Sequence, residues 1–392
     1  MGRVRRILVL SALYLAQGMP FGLQANALPA YLREAGLSLT TIGLAGVLAV
    51  PWMLKPLWAP LVDRWFERRR WIQVLLGLLA LLSLVGSQLA LDDVRVLALL
   101  VLLMNALAAT QDIAVDGLAV DILAEDELGP GNAAQVVGYK LGMILGGGVL
   151  VALAGPAKLP GLFLWMAGAF VLVLLLALTL PGGDATAEPN LSLLAILRRL
   201  FGSLALPGAV WLYAVVGTYK LGETLIDAMY KPFLVDLGYS AERIGVLAGT
   251  YGMIASVAGS ICGGALARYR PVLTAVAIAA TLRVFPLAAE WWMTTGAPSE
   301  LTVATITAAE HFFGGLLTTT VFALMMSRVD PRIGATHFTL LAAVEVWGKL
   351  PVGAASGVLA DRVGYTTAFG LGVGLSVAFL ALLLPLSRTR SA

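Results

Sequence analysis

The sequence predicts an all-α membrane protein in which twelve transmembrane helices form two pseudo-symmetric bundles of six. Composition, the length of the apolar runs and an internal repeat carry this prediction. Of the 392 residues, 59% are hydrophobic and only 12% are charged, and the mean hydropathy is +0.89. A soluble domain is about a quarter charged. So much apolar surface cannot be hidden in a soluble core, and we expect the chain to lie in a bilayer.

The apolar runs are long enough to cross a membrane, which takes roughly 20 residues. Three arginines precede the first run, but no small-residue cleavage site follows it, so we expect a retained helix rather than a signal peptide. The runs, which we call spans 1 to 12, lie near residues 7–32, 41–61, 71–91, 94–118, 132–155, 160–181, 207–235, 241–266, 271–294, 300–326, 334–360 and 365–386.

The placement of Lys and Arg predicts the orientation. Basic residues concentrate in the loops that lie on the same side as both ends of the chain, most densely in "WFERRRW" at 65–71. By the positive-inside rule both termini are cytoplasmic. Because the basic residues lie in short loops, the net charge of +3 does not indicate nucleic-acid binding. We expect a multi-pass protein of a cell membrane, a bacterial inner membrane in particular.

The two halves of the chain resemble each other. A segment rich in Pro, Gly and charge at 182–205 predicts a cytoplasmic linker between an N-terminal bundle, 1–181, and a C-terminal bundle, 206–392. "KLGMILGGGVL" at 140–150 aligns without gaps to "KLPVGAASGVL" at 349–359, which makes Lys140 and Lys349 equivalent. Such repeats are typical of transporters.

Two repeats of six helices with cytoplasmic ends and linker are the plan of the major facilitator superfamily. In that plan helices 3, 6, 9 and 12 face lipid, and spans 3, 6 and 12 carry no charge. Span 9 departs from the plan because it contains Arg283 and Glu290, which are seven apart and share a face. These two residues either pair through neighbouring helices or line a groove.

The sequence contains few of the residues that form enzyme active sites or metal sites. Cys262 is the single cysteine, and His311 and His337 are the two histidines. They form neither a multi-cysteine metal site nor a nucleophile-and-base arrangement. We therefore expect no enzyme, no metal and no cofactor.

Ionisable residues inside a membrane point to function. On span 4, Asp112 and Asp116 are four apart and share a face, and Lys140 enters span 5 from the same end to a comparable depth. A cross-helix ion pair between them is geometrically easy. It is either a structural pin between spans 4 and 5, or a gate or proton-sensitive latch that faces the cavity.

Span 7 carries a charged stripe, Lys220, Glu223, Asp227 and Lys231, at spacings of three, four and four. Such a stripe belongs against water or protein rather than lipid. The two carboxylates are the leading proton-coupling candidates. The alternative is a self-neutralising ladder that only lets span 7 line a wet cavity.

Spans 10 and 11 add further acids. Glu345 and Lys349 stand in the favourable acid-then-base order, and Glu310 precedes His311, from which we expect it to point away. Histidine is the natural pH switch, although a lone one is often a satisfied core residue. The proton-coupling candidates are Glu223, Asp227, Asp112, Asp116, Glu345, Glu310 and His311.

Amides and lysines are candidates for solute binding, because lysines meet carboxylate or phosphate groups as point charges. The substrate-binding candidates are Gln17, Gln24, Asn26, Gln111, Lys140, Lys220 and Lys349. "LVDRWFERRR" at 61–70 looks like the superfamily's loop between helices 2 and 3, and Asp63 and Arg64 would latch the cytoplasmic side against the acidic end of span 4. The gating candidates are Lys55, Asp63, Arg64 and Asp121.

"TQDIAVDG" at 110–117 resembles the helix-4 signature shared by AmpG-type muropeptide permeases and acetyl-coenzyme A transporters. The chain departs from the AmpG type at Lys140, where that type tends to have Arg, and at Gly117, where it tends to have Ala. The resemblance continues in "LKPLWAPLVDR" at 54–64, "VGYKLGMILGG" at 137–147, "YKLGETL" at 219–225 and "EHFFGGLLTT" at 310–319.

The resemblance implies a secondary transporter that carries a bulky, polar, often anionic solute by alternating access. We expect a proton-coupled importer of an anhydromuropeptide, acting as a monomer, with solute, protons and bilayer as its partners and no nucleic acid. The alternatives are an acyl-coenzyme A or ferric-siderophore transporter of the same fold and a proton-antiport efflux pump. Outside this class, the alternative is a membrane receptor that no longer transports.

Overall fold

The computed structural model of the chain describes residues 2–28, 31–32, 45–89, 94–150, 153, 158–180, 192–206, 208–239 and 241–388. Every regular element in these ranges is helical. We label the helical segments α1 to α12 in the order of the predicted spans, so that each label matches its span.

The first half contains six segments, of which α2 is the most irregular. It is interrupted around Pro56 and Pro60, because proline removes a backbone N–H and clashes with the preceding turn. The bounds are Arg3–Gly22 with a π-helical extension Leu23–Ala27 for α1, Val50–Leu54 and Ala59–Arg64 for α2, Arg68–Gln88 for α3, Val94–Ile122 for α4, Leu128–Ile144 with a π-helical extension Leu145–Val149 for α5, and Lys158–Leu178 for α6.

The second half begins with a linker helix, Leu193–Leu204, and contains six further segments. Their bounds are Ala209–Thr218 and Leu221–Asp236 for α7, Ala241–Ile244 and Gly252–Tyr269 joined by the π-helical Gly245–Tyr251 for α8, Val272–Met293 for α9, and Glu300–Ser327 for α10. The helix Gly334–Arg388 is divided by Gly364, whose φ of 75° is left-handed. We call its parts α11, 334–363, and α12, 365–388.

Seven helices among the described residues are long and apolar enough to cross a membrane, and an eighth if the linker helix and α7 count as one bent span. The prediction of an all-α membrane protein is therefore confirmed. The twelve segments are consistent with the predicted number of spans, since several of them are broken into pieces too short to pass such a test alone.

The chain forms two compact units. The first contains Met1–Leu123, Val137–Leu200 and Val329–Thr339, and the second contains Ala124–Val136, Phe201–Arg328 and Leu340–Ala392. The first turns of α5 thus belong to the second unit, and the first turns of α11 belong to the first. The predicted boundaries at 181 and 206 stay a prediction.

Glycines let helices touch within each unit. In the first, a side chain on Gly142 of α5 would overlap the main chain of α1 at Leu15 and Gly18. In the second, a side chain on Gly259 of α8 would overlap the main chain of α10 at Phe312. Small residues permit such close backbone contact in membranes. These contacts hold the helices that carry the candidate site residues.

Candidate functional site

Arg283 of α9 is the centre of a charged network in the second unit. Its guanidinium donates to the carboxylate and to the main-chain carbonyl of Glu310 on α10. Nε of Arg283 also donates to Oε2 of Glu223 on α7 at 3.2 Å. One arginine side chain, 2% exposed, thus joins α7, α9 and α10. Of the two explanations for charge in span 9, pairing through neighbours is the one observed for Arg283.

Three carboxylates surround this arginine. One oxygen each of Glu223, Asp227 and Glu310 lies within 4.8 Å of the others. Their exposure differs, since Asp227 is exposed, Glu223 is half-buried and Glu310 is buried. Three acids at this distance could hold a cation. The guanidinium of Arg283 already provides a positive charge to two of them, Glu223 and Glu310. The expectation that the chain holds no metal stays a prediction.

Glu310 and His311 meet, and the expectation that they point in different directions is wrong. Nδ1 of His311 contacts the second carboxylate oxygen of Glu310 and lies 3.0 Å from the carbonyl oxygen of Thr307. Adjacent helical residues diverge by about 100°, but the flexible glutamate side chain bends back. Glu310 is therefore held by Arg283 on one side and by His311 on the other.

Glu290 of α9 is the most enclosed acid of this unit, with 1% of the residue exposed. Among the described residues neither of its carboxyl oxygens has a hydrogen-bond partner. Tyr230 of α7 lies near it and uses its own hydroxyl on Thr307 of α10, at 2.6 Å. Both charged residues of α9 are thus buried in protein. The sequence placed neither of them among the proton-coupling, binding or gating candidates, and the only signal was charge in a span expected to face lipid.

Lys220 and Lys349 converge on Glu345 of α11. Nζ of Lys349 donates to Glu345 at 2.8 Å, and Nζ of Lys220 lies 3.8 Å from the same oxygen. The hydroxyl of Tyr219 lies at 3.4 Å from it. The helix breaks at Lys220, which precedes the second piece of α7. Lys220 and Glu223 thus have partners on other helices, which a ladder confined to span 7 does not explain.

In the first unit the two aspartates of α4 have different partners. Asp112 pairs with Lys55 of α2, and both side chains are buried. Asp116 accepts a hydrogen bond of 2.8 Å from the hydroxyl of Tyr14 on α1. The predicted pairing with Lys140, which is half-buried on α5, stays a prediction.

Amides and aromatic rings lie beside the Lys55 pair. Trp52 packs edge to face with Phe21 and Tyr139, with centroids 6.3 and 5.8 Å apart. Nε1 of Trp52 donates to Asn105 at 3.0 Å, and Asn105 donates to Gln24 at 2.7 Å. Sequence reasoning found Gln24 but missed the rings and Asn105, because periodicity does not show which residues of different helices meet.

The other predicted amides remain isolated. Gln17 and Gln111 are fully buried, and within the described part of the chain their amide groups have no hydrogen-bond partner. The side chain of Asn26 lies outside the described residues.

A buried clasp joins α2, α3, α4 and the start of α11 within the first unit. Asp63 accepts hydrogen bonds from the main-chain N–H of Ala335 at 3.3 Å and of Thr336 at 2.7 Å. These belong to the first turn of α11, where helical N–H groups lack internal partners. Arg68 pairs with Asp63 at 3.0 Å and with Asp121.

In the clasp, Arg68 rather than the predicted Arg64 bridges Asp63 to Asp121 at the end of α4. Arg64 is exposed and stacks near Trp65, whereas Arg68 is 3% exposed. The loop runs from the end of α2 into α3, so the first arginine of α3 points back to Asp63. Three consecutive arginines at 68–70 gave no reason to choose among them.

Comparison with known proteins places this geometry in a family context. The model of the family described as Acetyl-coenzyme A transporter 1 matches residues 6–157. The anhydromuropeptide permease of Escherichia coli K12 is 29% identical over 98% of this chain and 80% of its own length. The putative transporter AmpG 4 of Rickettsia conorii is 25% identical over 97% of this chain and 96% of its own.

Solved structures share the fold over the whole chain. The major facilitator transporter FucP in the outward conformation has a TM-score of 0.77 at 14% identity, covering 98% of this chain and 99% of its own. The human organic anion transporter MFSD10 has a TM-score of 0.70 at 18% identity, covering 98% and 100%. The major facilitator fold and the predicted resemblance are confirmed. The relatives are permeases and transporters, so the chain is a transporter and not an enzyme.

Proposed function

We propose that this chain, an AmpG-like transporter of the major facilitator fold, imports a bulky polar solute of the anhydromuropeptide class together with protons. The observation that carries the proposal is the excess of carboxyl groups around Arg283. The two halves of the chain would rock about a site near the midplane, as repeat-built transporters do. We propose the cytoplasmic membrane of a bacterium as its location, with both termini cytoplasmic, and a monomer as the working form.

The charge balance of the second unit supports proton coupling. Five carboxyl groups lie in one network with three obligate cations, Lys220, Arg283 and Lys349. Unbalanced charge in a low-dielectric interior is costly, and bound protons remove it. The acids of this network are Glu223, Asp227, Glu290, Glu310 and Glu345. Movement of the cations between these acids then links protonation to the conformation of the unit.

The first unit supports solute recognition. Phe21, Trp52 and Tyr139 offer half-buried ring surface, and Asn105 and Gln24 offer amide groups beside it. Sugar rings stack on aromatic faces and bind amides through their hydroxyls. The similarity to an anhydromuropeptide permease over almost the whole chain favours this solute over an acyl-coenzyme A or a ferric siderophore.

The clasp around Asp63 supports a gate at the cytoplasmic end. It fixes the first turn of α11 to α2 and α4 through fully buried groups. We propose that the first turn of α11 leaves Asp63 when this side opens, so that the clasp favours one conformation of the transport cycle.

The test uses proteoliposomes with a pH-sensitive dye inside and a labelled anhydromuropeptide outside. We expect solute uptake with acidification of the interior, and both are lost in Asp227→Asn. The matched control is Lys231→Gln, which changes the exposed end of the same stripe and keeps transport. Acyl-coenzyme A and a ferric siderophore serve as alternative solutes.

Each other outcome identifies an alternative. Uptake without proton flux, unchanged in Asp227→Asn, leaves a facilitator with structural carboxylates. Transport of acyl-coenzyme A or siderophore alone changes the solute class. Proton movement opposite to the solute indicates efflux by antiport, and binding of the anhydromuropeptide without uptake indicates a receptor.

A further inference from the structure

Glu290 has the least water around it of the acids in the second unit. Leu287 and Met293, one turn to either side of it on α9, are buried in a hydrophobic core that also contains Tyr230 and Val303. Neither carboxyl oxygen finds a hydrogen-bond donor among the described residues. An ionised carboxylate without donors in such surroundings is strongly disfavoured, and a neutral carboxylic acid is not.

Among the described residues, no neighbour of Glu290 donates a hydrogen bond to its carboxyl group. From α7 the groups that face it are Glu223, Asp227 and the neutral phenol of Tyr230, and from α10 the group is Glu310. On α9 itself Arg283 is the one base near it, and the donors of its guanidinium already bind Glu310 and Glu223. The other charged groups named around it in the described part of the chain are acids, so the surroundings again favour the neutral form of Glu290.

We propose that Glu290 holds the proton that the transporter carries while Arg283 is bound to Glu310 and Glu223. Arg283 and Glu290 share a face of α9, seven residues apart. When the guanidinium of Arg283 leaves the carboxylate of Glu310 while keeping its contact with the main-chain carbonyl, its charge becomes available to stabilise an ionised Glu290. The O–H bond of Glu290 then breaks, and the carboxylate of Glu310 accepts the proton. This inference rests on the proposed proton-coupled transport and names the carrier within it.

The exposure of the acids gives the proton a route. Asp227 is exposed, and its carboxylate lies within 4.8 Å of that of Glu310, which is buried. Glu290, 1% exposed, interacts electrostatically with both of these acids. A proton from solution therefore reaches Glu290 by way of Asp227 and Glu310, and returns through the same acids.

The first measurement needs no solute. Infrared difference spectra of the purified full chain in lipid detect the carbonyl stretch of a protonated carboxylic acid, which lies above the amide bands. We expect this band at neutral pH in the wild type, its loss in Glu290→Gln, and its retention in Glu300→Gln, where the acid is half exposed beside Arg243. An unchanged band in Glu290→Gln, or no band in the wild type, overturns the proposal.

The second measurement separates a transported proton from a structural one. Glu290→Gln imitates the protonated acid, so we expect exchange of labelled anhydromuropeptide across the vesicle to persist while proton-driven accumulation is lost. Accumulation at the wild-type level would show that another residue carries the proton. Glu290→Asp provides a folded variant with a titratable group if the glutamine variant unfolds, and the pH at which its band disappears should differ from that of the wild type.

The proposed function can fail separately. If the wild type moves no protons with any solute in the panel, proton-coupled transport is wrong for this chain. The infrared band then still decides whether Glu290 is a buried neutral acid, and the role of carrier falls with the transport.

Discussion

Arg283 on α9 binds Glu310 on α10 twice, through the carboxylate and through the main-chain carbonyl of the same residue. The second contact does not depend on the protonation of Glu310. Arg283 therefore stays anchored to α10 even when the acid is neutral, while its contact with Glu223 of α7 can break independently. This arrangement lets one helix pair remain fixed as another changes partner.

Removing this arginine should destabilise the second unit. Arg283→Leu leaves the half-buried Glu223 and the buried Glu310 without this cation, and losing one partner of a buried pair costs about 3–5 kcal/mol. Thermal unfolding of the purified protein measures the loss. Arg283→Lys should restore part of the stability, because an ammonium keeps the charge but cannot reach all three acceptors. A leucine variant as stable as the wild type would show that the network contributes nothing to stability.

Asp63 and Arg64 are adjacent in the sequence, but only Asp63 belongs to the clasp. Asp63→Asn removes the charge that Arg68 and the first N–H groups of α11 share, so we expect a lower melting temperature and slower transport. Arg64→Ala serves as the control and should behave like the wild type, because Arg64 is exposed and outside the clasp. Equal effects of the two variants in a transport assay would contradict the observed geometry.

The buried pair of Lys55 and Asp112 should show strong coupling. Lys55→Met and Asp112→Leu each strand one charge between α2 and α4, whereas the double variant leaves none. The double variant should therefore be more stable than the sum of the single losses predicts, with a coupling of about 0.5–3 kcal/mol. Denaturation of the wild type, both single variants and the double variant in one detergent measures this coupling. Additive losses would show that Lys55 and Asp112 do not stabilise each other.

The loop before α11 should respond to acid. Partial burial favours the neutral form of Asp330, but hydrogen bonds from the side chain and main chain of Arg332, aided by Arg199, outweigh it and lower the pKa of Asp330. A lowered pKa stabilises the fold above the ordinary value of about 3.9, and this stabilisation is lost as the pH falls through the folded value. Asp330→Ala should therefore have a lower melting temperature than the wild type at neutral pH.

The same comparison in acid checks the sign. The difference in melting temperature between the wild type and Asp330→Ala should shrink as the pH drops below about 4. A difference that is constant with pH would mean that Asp330 acts only through its shape. Asp330→Asn keeps an acceptor oxygen without the charge. The difference in melting temperature between Asp330→Asn and Asp330→Ala should therefore not change with pH.

The fold was predictable because apolar length and repeat symmetry are properties of the sequence alone. The breaks within the helices were harder to predict. The break in α2 depends on how Pro56 and Pro60 combine with tertiary packing, and the break in α7 at Lys220 involves no proline.

The sequence predicted which helix faces carry the candidate residues, but not which residues of different helices pair. Helical spacing singled out Glu223, Asp227 and Glu345, and the structure places all three beside cations or other acids of the second unit. It could not show that Glu223 meets Arg283, since their partnership depends on packing between helices far apart in sequence. His311 was misjudged because Cβ directions do not include the bending of a long side chain.

The burial of Arg283 and Glu290 also constrains how α9 enters the bilayer during synthesis. An arginine at the centre of an isolated inserting helix costs roughly 2.5–3.5 kcal/mol. Glu223 leaves the ribosome before α9, but Glu310 emerges only after residues 294–299 and most of the first half of α10. We therefore expect the translocon to release α7, α9 and α10 into lipid as a group, and a nascent chain stopped before Glu310 to keep α9 at the protein-conducting channel.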